Sequence, residues 1–126
     1  MISEADFQNL NVLREAARAG HVGLVASREV ATGQPCALVC TIEGKPPEAM
    51  VTPIAALAVD APVTDTGELS PDTQKAFASL KILLSDRDKR FYFREEASGK
   101  VQVFSGRVRP RPLMTLAWGN PFELFG

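Results

Sequence analysis

Histidine occurs once in this chain, at His21, and cysteine twice, at Cys36 and Cys40, so chemistry that relies on imidazole or thiolate has few places to reside. His21 follows a glycine that stops a helical pattern, where an imidazole can bond to the last carbonyls. It has no apparent Ser/His/Asp partners, and one imidazole does not make a metal site. Cys36 and Cys40 fall on one face of a single strand, ~13 Å apart along it. That separation is too long for a disulfide and poor for a metal, so both are read as free, buried thiols acting as small apolar residues. Glu29 and Glu95 sit at matching places beside two turns, each next to an arginine, as solvated surface pairs; they could approach one another only if two halves pack about a pseudo-twofold. No glycine-rich phosphate loop is present. The expectation is no catalytic residue, no metal ligand, no cofactor and no enzyme.

The sharpest functional pattern is cationic. Arg107, Arg109 and Arg111 alternate through a proline-bearing stretch. In an extended chain they face one way at a spacing of ~6.6 Å, near that of successive phosphates. With Lys89, Arg90, Tyr92 and Lys100 they would make a basic face carrying an aromatic, suited to nucleic acid or phosphate. The same residues also describe a charged edge strand that discourages aggregation. A second candidate surface is a protein interface built from the acidic residues Asp60, Asp65 and Glu68 or from the aromatic ending with Trp118, Phe122 and Phe125.

These surfaces need a scaffold, and 126 residues with 45% apolar content can supply one domain's core. The net charge of -1 gives no global pull toward nucleic acid or membrane. Charge is nevertheless segregated: residues 43–73 hold six acids against Lys45, and residues 87–111 hold eight bases against three acids. The two stretches either mark partner footprints or face each other across the fold. The acidic start carries no secretory signal and no run approaches a membrane span, so the expected compartment is the cytoplasm, with no membrane partner.

Capped by Ser3, a helix is expected with Phe7, Leu10, Leu13 and Ala17 inward and Gln8, Asn11, Arg14 and Arg18 wet, ending at Gly20. Strands follow over 22–28 and 36–42, joined by a turn at Gly33, with a third over 49–52. Pro53 to Ala58 reads as a proline-led helical turn, and 59–69 as a flexible acidic loop. Ser70, Pro71 and Asp72 open a second helix with Ala76, Phe77, Leu80, Leu83 and Leu84 as its stripe. Strands over 91–95 and from Val101 surround a turn at Gly99, and Pro112 to Ala117 repeats the helical turn. Arg28 to Gly33 matches Arg94 to Gly99, and Pro53 to Pro62 matches Pro112 to Pro121 in spacing. The expected fold is a single α+β domain over 1–126, an antiparallel sheet with two principal helices, arranged as repeat halves 3–62 and 70–126. The apolar ending is expected to dock on the body.

Residues 13–20, Ala31-Thr32-Gly33-Gln34-Pro35, Thr52-Pro53 with Leu57, and Gly119-Asn120-Pro121-Phe122-Glu123 resemble small uncharacterised proteins encoded by bacteriophages and plasmids. In that family the threonine-proline segment runs almost directly into the glycine-asparagine-proline ending. Here the ending comes much later, as in an extended or duplicated relative. The resemblance implies a non-catalytic protein of a mobile element that binds and inhibits a host protein or ribonucleoprotein complex, such as a defence complex in the manner of an anti-CRISPR. The alternative is a nucleic-acid-binding accessory protein that uses the arginine row, and homo-oligomers are compatible with either.

Overall fold

The computed structural model describes residues 4–30, 32–87, 90–97, 99–105 and 111–118, with backbone alone for Asp6, Ser105, 111–113 and Trp118. The elements are α1 (Glu4–Arg18), β1 (Val22–Arg28), β2 (Pro35–Glu43), β3 (Met50–Ala58), α2 (Pro71–Ser85), β4 (Phe91–Glu95), β5 (Lys100–Ser105) and β6 (Arg111–Trp118). A helix followed by three strands therefore occurs twice. All strands join one antiparallel sheet in the order β1-β2-β3-β6-β5-β4. This is the expected α+β architecture, with Ser3 and its capping role outside the described residues.

The helices end as their sequences dictate. Gly20, at φ 77°, lets its own N–H reach the carbonyl of Ala17 while the backbone N–H of His21 reaches Ala16. Backbone groups thus do the capping expected of the His21 side chain, and that residue is exposed. Ser70 caps α2 by accepting from the N–H of Thr73, with Pro71 at the first helical position. Leu13, Ala16 and Ala17 of α1 and Leu80, Leu83 and Leu84 of α2 face the same core at matching helical spacing, together with Val22, Val39, Leu57, Val103 and Leu116. A smaller cluster on the other sheet face holds Cys36, Leu38, Cys40 and Ala56.

Both proline-led segments are strands, which corrects the helical-turn reading. Pro53 lies opposite Cys40, and the next residue, Ile54, is skipped in the register; Pro112 lies opposite Phe104, and Leu113 is skipped likewise. A bulge tolerates proline because no ladder bond is asked of its missing N–H. The two bulges are counterparts. Where β3 meets β6, Leu57 pairs with Leu116, and Ala56–Ala117 mirrors Ala58–Thr115. The matching sequences of β3 and β6 lie 59 positions apart, so Leu57 faces its own counterpart and a pseudo-twofold passes between them.

The hairpin tips also correspond, with one adjustment. Glu29 donates to Gln34 and accepts from Gly33, while Glu96 donates to Lys100 and accepts from Gly99. The structural counterpart of Glu29 is therefore Glu96 and not Glu95, because the second turn is one residue shorter. Gly33 and Gly99 supply the positive φ, 69° and 83°, as expected.

Candidate functional site

The acidic connection between β3 and α2 is hydrogen-bonded from Pro62 onward, where the sequence suggested a flexible loop. Val63 bridges Leu69, the N–H of Thr64 donates to the carbonyl of Glu68 at 2.7 Å, and Gly67 closes the turn on Thr64 at 2.9 Å. Thr64 Oγ1 accepts from the N–H of Glu68, and it pairs with Thr66 Oγ1. At the base, the Pro62 carbonyl accepts from the Ser70 N–H and from Thr73 Oγ1, both at 3.0 Å. Thr73 is fully buried there. Asp65 and Glu68 are exposed on this frame, and Asp60 is exposed two residues before it.

Beside it runs a cleft of about 520 Å³ whose walls include Glu29, Cys36, Ala58, Asp60 and Lys100. A second hollow of about 330 Å³ shares Ala58, Val59, Asp60 and Lys100 with it and adds Asp72. Here the segregated charges meet, since Asp60 belongs to the acidic stretch and Lys100 to the basic one. Lys100 thus lines an acidic cleft. Of the other cationic candidates, Arg90 precedes β4 and is exposed, and Tyr92 is exposed on β4 opposite Phe104. Arg111 opens β6 opposite Ser105, its side chain outside the described set, and Lys89, Arg107 and Arg109 lie outside the described residues. Trp118 ends β6 opposite Ala55; Phe122, Phe125 and the docking expected of the ending also lie outside them.

The thiols do not look reactive. Cys36 and Cys40 are free and buried, and burial raises both pKa values, that of Cys40 to about 11. For Cys36 the charge of Glu29 adds to the rise. A thiol kept protonated at neutral pH is a poor nucleophile and ligand. Among the described residues no group of three or more His, Cys, Asp or Glu could hold a metal ion, and no helix is long and apolar enough to cross a membrane.

Sequence reasoning missed Arg14, placed on the wet side of α1. Its guanidinium donates to the carbonyl of Asp86 at 2.9 Å and lies 4.8 Å from the Phe91 ring centroid. It also missed the cleft, whose walls come from segments far apart in the chain. Only the pairing of β3 with β6 brings those segments together. Comparison with known protein families, with curated proteins and with solved structures finds no match. The fold and site define an α+β protein of two α-β-β-β units sharing one sheet, with an acidic cleft and projection beside its centre.

Proposed function

We propose that this is a non-catalytic binding protein that occupies a basic surface of another macromolecule and thereby inhibits it. The target class is a host protein or ribonucleoprotein complex, and the inhibitor is of the mobile-element, anti-defence kind. The observation that carries the reading is the presentation of Asp65 and Glu68 on a hydrogen-bonded frame, with Asp60 exposed two residues before its base. Acids held in place lose less side-chain and backbone entropy on docking than acids on a free loop, and they steer encounter with a cationic patch. Surfaces that grip nucleic acid are cationic by necessity, so they are the natural complement.

The test is capture from host lysate by wild type and by Asp60→Asn/Asp65→Asn/Glu68→Gln. A partner identified with wild type, lost with the triple variant and weakened by salt supports the reading. A partner retained equally by both sinks it. One observation favours the nucleic-acid alternative: Tyr92 lies exposed opposite Phe104, with Arg94 on the same strand and Arg90 just before it, a stacking surface with cations beside it. A salt-sensitive mobility shift abolished by Arg107→Ala/Arg109→Ala/Arg111→Ala would favour that alternative, and no shift at low salt would remove it.

A further inference from the structure

Strand β1 is the outermost strand on one side of the sheet. Its ladder with β2 is bracketed by two bonds, from the Ile42 N–H to the His21 carbonyl and from the Glu29 N–H to the Gln34 carbonyl. The register between them runs without a shift. Antiparallel pairs alternate between bonded and non-bonded positions, so residues 21, 23, 25, 27 and 29 bond to β2. The N–H and C=O groups of Val22, Leu24, Ala26 and Arg28 therefore point outward, and among the described strands none pairs with them.

Exposed edges are ordinarily guarded by proline, a bulge, a charge or brevity. Strand β1 has no proline and no bulge, and its one charge is Arg28 at its end. The outer strand on the opposite side, β4, is shorter and carries Arg94 and Glu95 within its five residues. Among the described strands, β1 is the longer and the less charged of the two pseudo-equivalent edges.

We infer that β1 is a self-association edge, and that two copies of this chain join β1 to β1 antiparallel about a twofold axis, continuing the sheet across the interface. Only one self-pairing register brings all four outward residues together. It sets Leu24 against Ala26 and Val22 against Arg28, each twice, with Val25 facing its own copy. The same register sets His21 against Glu29 of the other copy, also twice. His21 is exposed and Glu29 half-buried, and an imidazole N–H is a donor for a carboxylate. Directly opposed side chains at a non-bonded pair are close enough to use that complementarity.

Sedimentation equilibrium of the full chain over a range of concentrations tests this. Wild type should rise from 13.6 kDa toward twice that mass. Ala26→Pro should stay monomeric with unchanged circular dichroism, because Ala26 is exposed and its N–H serves no ladder bond among the described strands. Glu29→Lys should weaken the dimer roughly tenfold, and adding His21→Glu should restore it. If Ala26→Pro fails to fold, the charge-exchanged pair decides the matter. The inference is overturned if wild type stays monomeric throughout, if folded Ala26→Pro associates as wild type does, if the exchanged pair restores nothing, or if Glu95→Pro on β4 abolishes association.

Discussion

Arg14 occupies a position that helical periodicity assigns to solvent, yet its guanidinium spans from α1 to the end of α2. It donates to Asp86 and Arg87 carbonyls at 2.9 and 3.4 Å while covering Phe91. A cation at a helix C-terminus is favoured by the dipole as well as by the bonds. Arg14→Ala should lower the unfolding free energy by about 2 kcal/mol, and Arg14→Lys should recover less than half of that, because a lysine ammonium lacks the planar fork. Urea denaturation measures both. The cysteines give a second expectation at this scale. A thiol whose folded pKa is raised keeps its proton after the open chain has lost it, so stability is undiminished below the ordinary value of 9.0 and falls from there toward about 11 for Cys40. The slope is at most about 1.4 kcal/mol per pH unit. Cys40→Ala should flatten it relative to wild type when urea midpoints are compared across that window under reducing conditions.

At the scale of elements, the tether of the acidic connection is the most exposed to test. The Thr73 hydroxyl donates to Pro62, so the Ser70 hydroxyl, 2.8 Å away, donates to Thr73 in turn. Thr73→Val keeps the shape and removes the link in a buried place, and it should cost about 1–2 kcal/mol. Proteolysis should then cut within residues 59–69 faster in the variant than in wild type, which limited digestion with mass mapping would show. Both helices were legible in the sequence from local signals, an apolar stripe and a glycine stop for α1 and a cap, proline and stripe for α2, although Phe7, expected inward, is exposed. Strands β1 and β2 were legible because alternation and apolar density are local as well. Proline at 53 and at 112 misled, since a proline followed by small and branched apolar residues suits the first turn of a helix as well as it suits a bulged strand. What decides between them is the partner strand, which lies far away in the chain. The frame around Asp65 escaped notice for a related reason: its bonds come from backbone groups and threonine hydroxyls, which composition reads as loop.

For the molecule as a whole, the claim with most at stake is that its halves are interchangeable. The recurring prolines were visible in the sequence, but the symmetry rests on three structural facts: the self-facing Leu57–Leu116 pair, the matched bulges, and helices that bury equivalent positions. If the halves are equivalent, chain order should be immaterial to the fold. Joining residue 126 to residue 1 leaves twelve residues between Ala117 and Glu4, the same number that separates Ala58 from Pro71. A circular permutant opened at the Asp65–Gly67 turn, an exposed polar tip of the kind that tolerates new termini, should therefore fold to the same sheet. Opening there removes the turn's closure on Thr64, so a modest loss of about 1–2 kcal/mol is expected. Far-ultraviolet circular dichroism and amide-exchange protection at Leu57 and Leu116 would report success. A permutant lacking protection at that central pair would mean that the symmetric sheet depends on the natural order of the two units, and that their likeness is one of pattern without equivalence.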